Sequence, residues 1–339
     1  MQFYQVMIIY YTVINLVALA AYGIDKRRAV KGKWRIPERM LIFLAFLGGG
    51  IGALFGMKLF HHKTKKKNFR VWIPLWMLLH IILVVFCFYQ NNHLVVTYYN
   101  YDYDGIDCRI VQISDLHNVE LWFDKDYVCN KVAEFEPDII VVTGDVVDSN
   151  HTDIASAINT MEGLAQIADT YYVTGNHEYL LQDNELADLC DGMRKAGVRV
   201  MFDETIIIDD YGQPFVLIGI DDKSLNNETL KQLAVQCKTN CGDGLEVVLA
   251  HEPQYMDAYT DAEVDLVLAG HAHGGQFIFP FIGAVVAPNQ GFFPQLTSGS
   301  ITKKNTTMII SRGLGNSVIP VRVFNYPEIV VIDIFSIQN

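Results

Sequence analysis

Ile139–Asp148 reads IIVVTGDVVD: five β-branched residues in a row, then a glycine, then two carboxylates three apart. Such a run suits a strand buried on both faces. The glycine lets the chain turn sharply off its end. The same grammar recurs. IVQIS (110–114) is followed by Asp115-Leu116-His117, and YYVT (171–174) by Gly175-Asn176-His177-Glu178. VVLA (247–250) is followed by His251-Glu252-Pro253, and LVLA (266–269) by Gly270-His271-Ala272-His273-Gly274-Gly275. Amphipathic stretches separate these runs from Cys108 onward, the pattern of an α/β layered domain.

In open sheets, ligands gather at the carboxyl ends of strands. The residues placed there are oxygen donors (Asp115, Asp145, Asn176) and imidazoles (His117, His251, His271, His273). That mixture suits first-row divalent metals such as manganese, iron, zinc or cobalt and is unlike a calcium or magnesium cage. The set is large enough for two ions if one carboxylate bridges them. A pair of ions is a clamp for in-line phosphoryl displacement, one ion acidifying the attacking water while both draw charge from the phosphate. Gly144, Gly175 and Gly270 are expected to let each strand exit sharply toward a shared point.

The ordered motifs D-x-H, G-D-x-x-D, G-N-H-E, a lone His after a strand, and G-H-x-H resemble the calcineurin-like metallophosphoesterases over about residues 106–335. The resemblance implies an αββα layered sandwich and a dinuclear metal centre. It places Asp115, His117 and His273 on the first ion and Asn176, His251 and His271 on the second, with Asp145 bridging. It makes His177 the acid that protonates the leaving oxygen, and Asp148 a group orienting the site from behind the ligands. Glu178 reads better as a helix-start carboxylate than as a catalytic one. The stretch Ser311-Arg312-Gly313-Leu314-Gly315, with Pro320-Val321-Arg322 and Pro327-Glu328, is similar to a bacterial membrane-associated branch containing UDP-2,3-diacylglucosamine hydrolase-like and extracytoplasmic phosphodiesterase-like members. Arg312 and Arg322 are candidates for gripping a substrate phosphate, because guanidinium matches phosphate geometry. The competing reading of each is an internal salt bridge.

The rest of the chain is different in kind. The full 339 residues are 51% hydrophobic and 19% charged, with a mean hydropathy of +0.19, which excludes a disordered or fibrous chain. Residues 1–97 carry 13 Lys and Arg against Asp25 and Glu38, a net +11. Residues 98–339 carry 13 against 36 acids, a net −23. So acidic a larger part argues against a general nucleic-acid binder.

Three apolar segments, about 3–23, 40–57 and 71–89, make residues 1–97 a membrane domain, with 98–106 as a juxtamembrane linker and 107–339 as the catalytic domain. The first lacks a basic start and is expected to stay as an anchor. The loops 25–39 and 58–70 hold seven and six Lys and Arg. The positive-inside rule wants both in the cytoplasm, which a fully spanning middle segment forbids. Gly48-Gly49-Gly50, Gly52 and Gly56 admit either of two solutions. The middle segment re-enters and returns to the same face, or straight helices pack closely on small residues. Arrangements that keep the second basic loop inside export the larger domain. The region around Asp25-Lys26, Arg35-Ile36-Pro37-Glu38, the glycine run and His62-Lys63-Thr64 resembles a small bacterial membrane domain of unknown function. Topogenic charge with anionic-lipid contact is the plainer reading of its loops.

Six cysteines form no C-x-x-C pair; Cys237 and Cys241 are the nearest two, and free buried thiols are the expectation. Residues 276–300 are unusually apolar for a loop and form either a lip toward lipid or an acyl chain, or a cover on the sheet. The sequence therefore predicts a multi-pass, membrane-anchored, two-metal phosphoesterase with an extracytoplasmic catalytic domain. Its substrate is a phosphodiester, phosphomonoester or pyrophosphate, and tethering points to a lipid or envelope molecule. The alternatives are a nuclease or nucleotide phosphodiesterase of the same superfamily, or a non-enzymatic metal-bound scaffold or sensor.

Overall fold

The computed structural model describes residues 3–124, 126–150, 152–182, 184–241, 244–316 and 321–335. The chain divides into two compact units, Met1–Tyr89 and Gln90–Asn339.

The first unit is helical: α1 (Phe3–Val30), α2 (Glu38–Leu44), a π-type turn (Ala45–Gly49), α3 (Gly50–Leu59) and α4 (Lys67–Asn92), whose last turn belongs to the second unit. Three stretches, Gln5–Val30, Glu38–Leu59 and Lys67–Asn92, are long and apolar enough to cross a membrane. The middle one is folded back on itself. Both of its ends converge on buried Asp25, which accepts from the Ile36 N–H at 3.0 Å and Arg35 Nη2 at 3.0 Å, with His62 Nε2 at 2.7 Å. Glu38, at the start of α2, pairs with Lys63 and Lys66, which follow α3. A straight helix of this length would hold those residues about 30 Å apart.

The reversal occurs at Gly48, whose φ of 104° is open to glycine and costly for other residues. Backbone freed by a break in an apolar helix must find polar partners inside the protein, and here it does. The carbonyl of Phe46 accepts from His80 Nε2 at 2.7 Å, that of Leu47 from the Tyr10 hydroxyl at 2.6 Å, and that of Gly48 from Asn15 Nδ2 at 3.2 Å. The Gly52 N–H donates back to Asn15 Oδ1 at 2.7 Å. The returning helix α3 lies so close to α1 that a Cβ on Gly52 would collide with the Asn15 carbonyl. The glycine run turns the chain at Gly48, and its later glycines let the returning helix, which is not the straight packed helix of the second expectation, lie close against α1. Residues 25, 35, 38, 62, 63 and 66 meet at one end of the unit, so the two basic loops share a face.

The second unit contains β1 (Val95–Asp102), β2 (Cys108–Ile113), α5 (Tyr127–Ala133), β3 (Ile139–Thr143), α6 (Ile154–Ala165), β4 (Asp169–Val173), α7 (Glu185–Lys195), β5 (Arg199–Val200) and β6 (Glu204–Ile208). It continues through β7 (Phe215–Gly219), α8 (Asn227–Cys241), β8 (Glu246–Leu249), α9 (Met256–Asp261) and β9 (Leu266–Ala269). Two short hairpins follow, β10 (Ile278–Phe279) with β11 (Gly283–Ala284) and β12 (Val286–Ala287) with β13 (Gly291–Phe292). Then come β14 (Gly299–Lys303), β15 (Thr306–Ile310) and β16 (Glu328–Phe335).

Two six-stranded sheets result, ordered β1-β16-β2-β3-β4-β5 and β14-β15-β9-β8-β7-β6. Strand alternation sorts their side chains into layers. Ile110, Val141, Val247, Leu268 and Ile332 fill the space between the sheets. Val111, Ile140 and Val331 face α5, α6 and α7, packing with Val132, Met161 and Met193. Val248, Val267 and Met308 pack with Leu230 and Tyr259 of α8 and α9. This is the αββα sandwich that the motifs implied.

One boundary is corrected. Residues 98–106 are not a linker, because Val95–Asp102 forms β1, paired in parallel with β16 over eight residues from Val95↔Glu328 to Asp102↔Phe335. The lack of Lys and Arg there reflects a tyrosine-rich edge strand that alternates half-buried and exposed positions. Cys87, Cys108, Cys129 and Cys190 are free thiols, whereas the side chains of Cys237 and Cys241 lie outside the described residues.

Candidate metal centre and active site

All five sequence motifs sit just past the carboxyl ends of parallel strands, three in one sheet (β2, β3, β4) and two in the other (β8, β9). The sandwich therefore brings loops from both sheets to one point. Asp115, His117, Asp145, His251, His271 and His273 are all buried there.

Their donor atoms form two nests. In the first, His117 Nε2 lies 3.3 Å from His273 Nε2, and Asp115 Oδ1 is 3.5 Å from His273 Nε2. In the second, His251 Nε2 lies 3.1 Å from His271 Nδ1 and 3.2 Å from Asn176 Oδ1. Asp145 Oδ2 stands between them, 3.6 Å from His117 Nε2 and 3.2 Å from His251 Nε2.

These spacings pass a simple test of fit. Nitrogens bound about 2.1 Å from one tetrahedral or octahedral ion lie roughly 3.0–3.4 Å from each other. Nitrogens at that range suit either an N–H···N hydrogen bond between rings or a cation shared by their lone pairs, so the spacing fits a metal. The tautomer also suits a ligand: His251 Nδ1 donates to the Thr143 carbonyl at 2.8 Å, leaving the Nε2 lone pair free in the neutral ring.

The electrostatics agree. Burial lowers His117 to about 4 and His271 to about 3, and drives His273 well below the usual range, so these rings are neutral donors at pH 7. Burial alone would raise Asp145, but His251 and then His117 and His177 outweigh it and hold the carboxyl well below its ordinary value. Burial pushes Asp115 up to about 6, with the charge of Asp145 adding to the rise and His251 opposing it. His251 moves the other way: burial opposes its proton, yet Asp145 holds it well above the usual imidazole value. The donor set thus attracts cationic charge to the point where its atoms converge.

This arrangement is strained. Asp115, His117, Asp145, His271 and His273 all have positive φ, between 46° and 64°. Left-handed non-glycine residues cost energy and persist only where the surroundings over-determine them. Gly144 is itself left-handed, with φ 84°. At Gly175 and Gly270 the requirement is crowding instead, since a Cβ would strike Asp145 Oδ1 at one and the Ser114 hydroxyl at the other.

His177 stands beside the nests, its ring 4.5 Å from that of His117 in an edge-on contact. The Ser149 N–H donates to His177 Nδ1 at 3.2 Å, and Asp148 Oδ1 lies 3.8 Å from the same nitrogen. A backbone N–H can only donate, so Nδ1 accepts and the neutral ring carries its proton on Nε2.

Three supports escaped the sequence reading. Glu178, fully buried, accepts from the N–H groups of Asp145 at 3.0 Å, Val146 at 2.8 Å and Gly175 at 2.8 Å, tying two strand ends together. Burial, reinforced by the charge of Asp145, raises it to about 7. Asn289, in the turn between β12 and β13, reaches His271 Nε2 at 3.3 Å and Glu252 Oε1 at 3.0 Å. Ser149 had no signal beyond its place beside Asp148. Glu178 had one, its position directly after His177.

Both arginines have partners inside the protein. Arg312 Nη2 donates to Glu328 Oε1 at 2.7 Å. Arg322 is fully buried, and its Nη2 donates to the carbonyls of Arg312 at 2.9 Å, Gly313 at 3.1 Å and Gly315 at 2.5 Å. The loop so clamped backs the first nest, for the Gly315 N–H donates to the Asp115 carbonyl at 2.6 Å and that of Leu314 to Ser114 at 3.0 Å.

A layered α/β sandwich with histidine, aspartate and asparagine donors at its strand ends defines a metal-dependent phosphoester hydrolase. Residues 108–275 match the family described as calcineurin-like phosphoesterase, and residues 15–69 match a protein family of unknown function, DUF1294. The chain is 30% identical over 244 residues to the uncharacterized metallophosphoesterase YkuE of Bacillus subtilis, a match covering 69% of this chain and 80% of that protein. It is 28% identical to the uncharacterized metallophosphoesterase YkoQ of the same organism, over 67% of this chain and 84% of the relative. It is also 28% identical to the phosphodiesterase YaeI of Escherichia coli, over 53% of this chain and 66% of that one. The chain belongs to the calcineurin-like metallophosphoesterase family.

Proposed function

We propose that the protein is a membrane-anchored dinuclear-metal phosphoesterase that acts outside the cytoplasm on a lipid-linked or other envelope phosphoester. The observation that carries this reading is the position of Asp145 Oδ2, within 3.6 Å of an imidazole nitrogen in each nest. Asp115, His117 and His273 would hold one divalent cation, and Asn176, His251 and His271 the other, with Asp145 shared. Bound there, the pair supplies Lewis-acid charge to the phosphate oxygens and acidifies the attacking water.

The chain's own residues do the rest. Glu178 fixes the backbone of Asp145 and Gly175, so the shared carboxylate and the Asn176 turn move as one piece. The Ser149 N–H, donating to Nδ1, holds His177 with its proton on Nε2, the form that can deliver a proton to a leaving alkoxide, while Asp148 lies beside the ring and orients it. The printed name of the Escherichia coli relative supports a diester as the substrate class. The folded-back middle segment supports the export of the catalytic unit. With both basic loops on one face and that face cytoplasmic, as the positive-inside rule prefers, α1 begins and α4 ends on the opposite side.

His177→Ala tests the acid role. Removing a general acid costs about 10²–10⁴-fold, and the loss grows as the leaving group becomes more basic. We expect a larger loss with a phenyl than with a p-nitrophenyl phosphodiester. Equal losses on the two esters would show that His177 orients the site without transferring the proton.

A further inference from the structure

Between Leu266 and Thr302 the chain has no Asp, Glu, Lys or Arg, although it lies in a unit of net charge −23. Part of that stretch is β9 and the metal-binding loop. The remainder runs through the hairpins β10–β11 and β12–β13 to the start of β14; Ala287 and Leu296 pack on the core of the second sheet, and the apolar hairpin tips do not. Phe279, Phe281, Ile282, Phe292 and Phe293 are exposed, Ile282 at 62% and Phe292 at 78%, and Phe324 joins them from the next loop. So many exposed aromatics on neighbouring hairpins mark an interaction surface.

The hydrogen bonds show what this surface adjoins. Phe277 bridges Val323, and the Ile278 N–H donates to the Val323 carbonyl at 2.9 Å. One residue earlier, the Arg322 N–H donates to Asn91 Oδ1 at 2.8 Å, and Gln90 Nε2 donates to the Tyr326 hydroxyl at 2.9 Å. Gln90 and Asn91 form the last turn of α4, an apolar helix long enough to span a bilayer, and only His93 and Leu94 separate its end from β1. The rim also borders the metal centre. Asn289, in the turn of the second hairpin, touches His271, and Asn325 Nδ2 donates to the His273 carbonyl at 2.7 Å.

We propose that these two hairpins are a lipid-docking rim that seats the mouth of the active site on the bilayer surface. The partner is the lipid surface itself. A strongly acidic unit is repelled by anionic headgroups, so these uncharged, aromatic-rich hairpins are where apolar insertion can overcome that repulsion. Aromatic side chains are suited to the headgroup boundary. The inference goes beyond the phosphoesterase reading, because docking brings the metal centre to headgroup level whichever ester is cleaved.

The test uses the full chain in phosphatidylcholine nanodiscs, with and without bromine on the acyl chains. Phe281→Trp adds an emitter on the rim, and Ile207→Trp adds one on exposed β6 as a control, each read against the parent protein. We expect bromine to quench the emission added by Phe281→Trp and to spare that added by Ile207→Trp. Equal quenching at both positions, or none at either, would overturn the proposal, as would rim emission that changes only with protein concentration, which would assign the face to a second copy of the chain. Phe281→Asp combined with Phe292→Asp should retain metal-dependent turnover of bis-p-nitrophenyl phosphate, which shows that the fold is intact. The same pair should abolish the protection from hydrogen exchange that nanodiscs confer on residues 277–294; protection retained in that variant would also overturn the rim. Neither optical nor exchange readout depends on the natural substrate, so failure of the rim is distinct from failure of the phosphoesterase reading.

Discussion

Arg322→Lys separates two roles that the sequence left open for this residue. The guanidinium sits fully buried and divides its donors among four carbonyls, those of Arg312, Gly313 and Gly315 through Nη2 and that of Tyr326 through Nη1 at 3.3 Å. Burial pushes its pKa down to about 10, which still leaves it charged at pH 7. A lysine ammonium is a compact point charge and cannot reproduce the planar fork. Losing two charge-assisted hydrogen bonds, each worth about 1.5–3 kcal/mol, removes about 3–6 kcal/mol. In a unit of this size each kcal/mol shifts the midpoint by about 2–4 °C, so Tm should fall by roughly 6–24 °C. The loosened loop lies behind Asp115 and His117. Metal affinity should therefore drop, and kcat with it, while KM changes little once metal is saturating. The assays are thermal unfolding, metal content after dialysis, and steady-state kinetics on bis-p-nitrophenyl phosphate. An unchanged Tm together with a raised KM would refute the clamp and return Arg322 to the substrate.

Other expectations follow from single contacts. Asp25→Asn leaves Arg35, His62 and Lys63 facing a neutral amide at a buried point. Breaking a buried ion network costs about 3–5 kcal/mol, so the helical unit should unfold at lower denaturant in micelles; an unchanged midpoint would mean the hairpin is closed by something else. Burial, then Asp138 and Asp107, raises the Cys108 thiol to about 12. The folded state therefore keeps its proton where the unfolded chain loses it, and this contribution is full below the ordinary thiol pKa and declines as pH rises toward 12. Between about pH 9 and 10 this thiol alone should lower stability by up to about 1.4 kcal/mol per pH unit, and Cys108→Val should make the measured slope shallower by that contribution. Identical slopes in the two proteins would contradict it.

Much of the catalytic unit was legible because its strands are written as unbroken β-branched runs and its donors directly follow them. IIVVT can be little else than a buried strand, and five such runs ending in Asp, Asn or His point to one shared site. What escaped was set by long-range contact. Val95–Asp102 is strand rather than linker only because β16, more than 230 residues later, is its partner, and nothing local announces that. Glu178 opens a short 3-10 helix, Glu178–Leu180, as expected, but its three backbone partners come from two strand ends that the sequence could not bring together. Arg312 and Arg322 were prominent as rare cations among 36 acids, but their partners, Glu328 and the carbonyls of Arg312, Gly313, Gly315 and Tyr326, come together only in the fold. In the helical unit the charge pattern posed the question of re-entry, and the convergence of Arg35, Ile36 and His62 on Asp25 supplies the physical reason the middle segment folds back.

The central claim is that one carboxylate is shared by two ions and that hydrolysis needs both. We would strip the full chain of metal, reload it with manganese or zinc, and measure bound metal and turnover of bis-p-nitrophenyl phosphate together, for the parent protein and for Asp145→Asn. Two ions per chain, with turnover that appears only as the second site fills, and loss of both binding and turnover in Asp145→Asn, is the result expected. One ion per chain with full activity, or an Asp145→Asn variant that keeps two ions and turns over normally, would contradict the account.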